Sequence, residues 1–289
     1  MKKVLITGAN SYIGKKLEKW LKKYPDQFNV ESCSVRNDEW KNMNFSSFDV
    51  IFHAAGIAHV STDPSMKDLY YKVNRDLTIE IAKKAKVDGV KQFIFMSSII
   101  VYGNSNIISM DTIPNPTNFY GKSKLQAEEG IRALLDPNFK VAIVRSPMVY
   151  GNGSKGNYQK LSKFSRITPI FPDIDNKRSM IYIDNLCEFI RLIIKNEESG
   201  IFFPQNEDYV KTSEMVQLIA EAHGKKIKLI KIFNPFIRMF SSKVNFINKL
   251  FGDLVYEKSM STYKENYVII DFKESIFATE SAINAREKI

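Results

Sequence analysis

Short apolar runs alternate with longer stretches of helical spacing through the first half of the chain. Residues 3–7 form an apolar run that stops at a glycine-containing turn. Residues 13–23 follow, with Leu17, Trp20 and Leu21 three and four apart, which predicts a helix that Pro25 ends. The alternation continues: 28–35, 49–53, 92–97 and 140–144 predict strands, and 68–86 and 122–135 predict helices between them. Strands alternating with helices predict an α/β fold, a doubly wound parallel sheet covered on both faces, over residues 1–150. After Gly151 the regularity loosens. Residues 152–157 have loop composition, while 181–195 and 213–223 have helical spacing. Residues 151–289 are expected mainly to cap a substrate over the strand C-termini, with about 178–195 returning to the first unit. The segment 232–251 is basic and rich in Phe, Ile and Met. It predicts a helix packing its apolar stripe on the rest of the protein, in preference to one lying on a membrane.

Composition narrows the classes. The 289 residues are 44% hydrophobic and 26% charged, ordinary for a globular chain with a substantial core. No apolar run approaches the roughly 20 residues that cross a bilayer, and the N-terminal run is too short for a signal peptide. Cys33 and Cys187 lack CxxC spacing, so neither a disulfide framework nor a metal site is expected, and the expected compartment is the cytoplasm. The net charge of +10 favours an anionic partner. Without a zinc-finger, RRM or helix-turn-helix signature, a phosphorylated small molecule is preferred to nucleic acid.

Two turns and one helix start carry candidate chemistry. In VLITGANSYIG, Gly8 permits the tight turn after the first strand, and Gly14 lets the helix pack on that strand. The helix N-terminus offers N–H groups to a pyrophosphate. Ser11 stands where the middle glycine is usual, and its hydroxyl can donate to phosphate. Asn10, Tyr12 and Ile13 complete this candidate phosphate cradle. HAAG supplies a second turn of small residues, Ala54, Ala55 and Gly56, suited to a flat ligand. Tyr120 and Lys124, four apart on one helix face, pair a phenol with an ammonium expected to lower its pKa. Such a phenol exchanges a proton with an alcohol oxygen while hydride moves at the attached carbon. Ser98, at a strand end, can bond the same oxygen.

Taken in order, the glycine turn, HAAG, Asn74 in VNRD, SSIIVYG, YGKSK, RSPMVYG, RSMIYIDNL and LFGDLV resemble the extended short-chain dehydrogenase/reductases. Within them the likeness is to the NAD-dependent epimerase/dehydratase group that acts on nucleotide sugars, and it spans nearly the whole chain. It implies a Rossmann-type sheet with a smaller C-terminal substrate portion. It also implies Tyr120 as acid/base, Lys124 as pKa modulator and ribose contact, and Ser98 as second hydrogen-bond donor. Asn74, Ser97 and Pro147 would line the cofactor side, and Asn157 and Arg178 would face the diphosphate of a UDP-sugar. A homodimer is implied as well. Three departures stand out: Ser11, Met148 where many epimerases have asparagine, and Ile99–Ile100 where 4,6-dehydratases carry Asp-Glu. Dehydration is therefore not expected.

Dinucleotide sites that take NAD place an acid at the end of the second strand. Here Ser34 and Arg36 stand near that place, with Asp38 a few residues on, which favours NADP(H) while leaving NAD(H) open. The expected reaction is reduction of a 4-keto-6-deoxy UDP-amino sugar for surface-polysaccharide synthesis. The alternative is UDP-glucose or UDP-N-acetylglucosamine 4-epimerisation on the same residues. A non-catalytic NADP- or RNA-binding protein would need none of Ser98, Tyr120 and Lys124.

Overall fold

A computed structural model describes residues 1–57, 63–241, 248 and 250–287. Its strands are β1 Lys2–Thr7, β2 Phe28–Cys33, β3 Val50–His53, β4 Gln92–Ser98, β5 Ile107–Ile108, β6 Lys140–Ser146, β7 Met148–Tyr150, β8 Ile170–Pro172, β9 Met180–Tyr182, β10 Gly200–Phe202, β11 Lys228–Ile230 and β12 Val255–Tyr256. Six of them form one parallel sheet in the order β10-β6-β4-β3-β1-β2. The chain runs outward from β1 to β2 on one side and to β3 on the other. The strand order therefore reverses between β1 and β3, the crevice where open parallel sheets hold ligands. The central strands are apolar on both faces, as a sheet covered twice requires: Val4, Leu5 and Ile6 are completely buried.

The helices are α1 Tyr12–Leu21, α2 Lys67–Tyr70, α3 Leu77–Val87, α4 Phe119–Arg132, α5 Asn157–Ser165, α6 Ile183–Lys195, α7 Thr212–Ala222, α8 Asn234–Ser241 and α9 Phe272–Glu287. The single helix expected over 68–86 is interrupted. Between α2 and α3, Tyr71–Asp76 widens into a π-helical turn, and Asn74 within it is fully buried. Such turns insert one extra residue and re-aim the side chains around it, an event that helical periodicity does not reveal.

The second half is not a separate body. Helix α6 lies against α1, where Trp20 Nε1 donates to Glu188 Oε2 at 3.0 Å, and β10 adds the sixth strand beside β6. One continuous apolar core joins Val4 and Ile6 of β1 to Ile190 of α6, Ile219 of α7 and Ile276 of α9. The return to the sheet thus extends to Phe202, beyond the expected 178–195.

The expected packing of 232–251 is not what the described part shows. Ile232, Phe233, Phe236 and Met239 are exposed, whereas Leu250 and Phe251 pack on the core. Helix α8 is anchored by Asn234, whose Nδ2 donates to Asp173 O at 2.8 Å. Buried Phe171, with Phe251 5.7 Å from it, already fills the apolar site nearby. Residues 242–247 and 249 of this segment lie outside the described residues.

Candidate active site

The two small-residue turns meet. Gly8 has φ +99°, and a Cβ there would lie 2.6 Å from Ala55 N, so the turn tolerates neither another residue's conformation nor its volume. Gly8 N and Ala9 N both donate to Cys33 O at 3.0 Å, which ties the turn to the end of β2. Ser11 N donates to Gly8 O at 2.8 Å, and Ser11 Oγ accepts from Gly14 N at 3.0 Å, making Ser11 the N-cap of α1. That explains serine in a glycine place: its oxygen satisfies a helix-end amide and its hydroxyl hydrogen stays available to a phosphate. A Cβ on Gly14 would sit 2.6 Å from that oxygen, so cap and glycine require each other. Asn10 is exposed beside the cap, and Tyr12 and Ile13 open the helix. Ser11→Ala is expected to cost about 1 kcal/mol and Ser11→Gly only a few tenths. Calorimetric melting of the two variants measures the difference.

On the opposite strand, Ala54 N donates to Thr7 O at 3.0 Å. A Cβ on Gly56 would lie 2.9 Å from Asn74 Oδ1 and 3.3 Å from Lys124 Nζ. Asn74 clamps this turn: Oδ1 accepts from Ile57 N at 2.8 Å, and Nδ2 donates to Ile57 O and Ser123 Oγ at 3.2 Å each. Its amide faces protein rather than open groove, so it shapes the cofactor wall from behind. His53 is structural. Its ring bridges Thr7 Oγ1 (2.7 Å) and Thr78 Oγ1 (3.1 Å), and burial, aided by the Lys124 charge, pushes its pKa down to about 3.

Tyr120 is the second residue of α4, whose N-cap Asn118 accepts from Gly121 N at 2.8 Å. Ser98 ends β4 and caps the short 3-10 turn Ile99–Tyr102 by accepting from Ile100 N at 3.3 Å. Ser98 and Tyr120 are neighbours across this junction, near enough for the serine hydroxyl to lower the phenol's pKa. Lys124, one turn further along α4, is buried beside Gly56; its Nζ donates to Met96 O at 2.8 Å and lies 4.5 Å from the Phe95 ring centroid. The strand end and helix start thus bring together the trio expected from sequence.

Their electrostatics differ from expectation. Burial pushes the Tyr120 phenol up to about 12, against the lowering effect of Ser98. Burial likewise pushes the Lys124 ammonium down to about 8, with the Glu128 charge opposing that shift. The ammonium is spent on the Met96 carbonyl instead of stabilising a phenolate, and both groups lose water. At neutral pH the Tyr120 phenol is therefore protonated.

Behind the trio lies a network absent from the sequence reading. Glu128 on α4 and Arg145 on β6 are both buried and pair at 2.6 Å, with Arg145 Nε 3.1 Å from each Glu128 oxygen. Arg145 Nη1 donates to Tyr102 Oη at 2.7 Å, and Tyr256 Oη donates to Arg145 O at 2.9 Å. Ser97 turns its hydroxyl to Glu128, so its side chain ties the end of β4 to this network. The available signal was Glu128 four residues after Lys124, on the same helix face.

The remaining candidates sit around this centre. Pro147 is buried between β6 and β7, and Met148 begins β7. Ile99 is buried and Ile100 partly so in the turn after Ser98. Ser34 and Arg36 are exposed just past β2, while Asp38 opens a 3-10 turn with its carboxylate 3.2 Å from Lys41 Nζ. Asn157 is partly buried at the start of α5. Arg178 donates through Nη1 to Gly252 O at 2.9 Å, and desolvation lowers its pKa. Gly151, leading toward Asn157, approaches the first turn: a Cβ there would be 3.1 Å from Tyr12 Oη. Among the described residues no group of His, Cys, Asp or Glu is arranged to hold a metal.

A nicotinamide dinucleotide fits these residues. Gly8 and Gly56 leave room that side chains would fill, α1 directs its first N–H groups at the crevice, and Lys124 borders the second turn. A sheet with its switch point at such a crevice and a Ser–Tyr–Lys trio beside it defines a dinucleotide-dependent enzyme class. The chain belongs to the NAD dependent epimerase/dehydratase family, whose sequence profile matches residues 4–209. It is 33% identical to a UDP-glucose 4-epimerase of Vibrio cholerae, over 88% of this chain and 86% of that one. It is 27% identical to the N-acetyl-alpha-D-glucosaminyl-diphospho-ditrans,octacis-undecaprenol 4-epimerase of Escherichia coli O157:H7, over 86% and 81% of the two chains. The fold matches that of the Bacillus cereus UDP-glucuronic acid 4-epimerase solved with UDP-glucuronic acid and NAD. That likeness has TM-score 0.75 at 18% identity and covers 98% of this chain and 99% of that one.

Proposed function

We propose that the protein reduces the C4 ketone of a 4-keto-6-deoxy UDP-amino sugar with NADPH. The observation that carries this reading is the end of β2. The Gly8 and Ala9 amides fix the register at Cys33, and the next residues offer Ser34 and Arg36 in place of a carboxylate. A guanidinium suits a 2′-phosphate that a carboxylate would repel, and a phosphorylated dinucleotide suits an enzyme that consumes one reduced cofactor per turnover. Asp38, the acid close by, is engaged with Lys41.

A reduced nicotinamide held in the crevice by these residues would supply the hydride for C4. Tyr120 gives its proton to the ketone oxygen as negative charge develops there, a direction suited to a phenol held near 12. Ser98 bonds the same oxygen and fixes the carbonyl plane. Lys124 holds the ribose hydroxyls and, redirected from Met96 O, lowers the cost of the tyrosinate left behind. Arg178 and Asn157 hold the diphosphate. Ile99 and Ile100 supply no acid–base pair, so water is eliminated from C6 by another enzyme upstream.

The second reading, 4-epimerisation of a sugar on a diphosphate, is favoured by the names of the two relatives. Stoichiometric loss of NADPH absorbance on adding a 4-keto-6-deoxy UDP-amino sugar supports the reductase. Protein that purifies with NAD bound and interconverts UDP-sugars without added cofactor rejects it.

A further inference from the structure

Directly after β11 the chain turns several apolar side chains outward. Ile232 is 73%, Phe236 63% and Met239 54% exposed, with Phe233 also exposed beside them. Phe236 and Met239, three apart, share one side of α8, and Phe233 directly precedes the helix. Single exposed apolar residues are ordinary, but a contiguous group of four marks an interaction surface. Its surroundings are strongly basic. Lys225, Lys226, Lys228 and Lys231 are exposed, and from Ala222 to Gly252 the sequence contains no Asp or Glu although Lys and Arg recur throughout. The ladder beneath continues the patch, since Lys228 pairs in register with Ile170, itself exposed.

We propose that this face docks on a bilayer surface bearing anionic headgroups. Aromatic and aliphatic side chains flanked by an excess of lysines, against which Asp173 sets one carboxylate 3.9 Å from Lys231 Nζ, complement that surface in both polarity and charge. The apolar groups enter the boundary between headgroups and acyl chains, and the lysines stay at the phosphates. No described helix is long and apolar enough to cross a membrane, so the contact lies in the interface plane. The segment rejoins the body at Gly252, whose carbonyl accepts from Arg178. This inference goes beyond the proposed reaction and does not depend on it.

Flotation of the purified full chain with vesicles tests it. The protein is expected to float with phosphatidylcholine vesicles containing phosphatidylglycerol and to stay behind with phosphatidylcholine alone. Phe236→Ser with Met239→Ser should weaken partitioning at least about tenfold. Lys226→Glu with Lys228→Glu should weaken it by about fivefold or more per charge, and added salt should weaken the wild type. All these sites are exposed, so near-ultraviolet circular dichroism should be unchanged. Absence of flotation with anionic vesicles overturns the proposal, as does equal flotation with both compositions. It also falls if light scattering finds a dimer that the Phe236/Met239 variant dissociates, since the face would then join two copies of this chain.

Discussion

Tyr120→Phe is expected to lower kcat by about 10²- to 10⁴-fold, the usual worth of a positioned proton donor, while cofactor affinity stays close to that of the wild type. The separation follows from the geometry. Tyr120 lies next to Ser98, whereas in the proposed reading the dinucleotide would be held by Gly8, Gly14, Gly56 and Lys124. Single-turnover hydride transfer and fluorescence titration of NADPH measure the two quantities separately. Unchanged turnover would remove Tyr120 from the chemistry. A companion titration reads the protonation state: in the absence of ligand, the wild-type minus Tyr120→Phe absorbance difference should show no tyrosinate until pH approaches about 12. A phenolate forming well below 10 would restore the sequence-based expectation that Lys124 activates it in the free protein.

The second large effect is expected away from the reacting atoms. Glu128→Ala leaves the buried Arg145 guanidinium with Tyr102 Oη as its remaining side-chain partner among the contacts described. Removing one member of a buried ion pair costs about 3–5 kcal/mol, which in a chain of this size lowers Tm by roughly 5–8 °C. The double variant Glu128→Met with Arg145→Met should recover much of that loss, because neither charge then remains in the interior. Scanning calorimetry of the single and double variants tests this. If Glu128→Ala melts with the wild type, water reaches the pair and the network does not stiffen the end of β4.

Much of the architecture was legible because a sheet covered on both faces writes itself as apolar runs, and its crossover helices as spacings of three and four. Tyr120, Lys124 and Ser98 were legible for a local reason: helix pitch fixes the first two, and the strand end fixes the third. What stayed hidden depends on contacts between distant residues. Nothing local distinguishes Asn74 as the clamp of Ile57 and Ser123, because a π-helical turn leaves no periodic trace. The direction of the Tyr120 shift differs from the expectation because spacing reports proximity to Lys124 and says nothing of the burial that pushes the phenol up. Arg145 lay inside a recognised motif, yet its partner sits on another element. Ile232, Phe236 and Met239 read as a core stripe because amphipathic spacing cannot say whether protein or another surface covers it.

The position of β10 has a further consequence for how the molecule comes to exist. Strand β6 pairs with β4 on one side and β10 on the other. During synthesis on the ribosome, β6 therefore emerges with an open edge that only Gly200–Phe202 will close, and an open edge is a template for mispairing with a neighbouring nascent chain. The sheet itself is complete only when β10 arrives, and a fragment ending near Tyr150 should aggregate through that open edge.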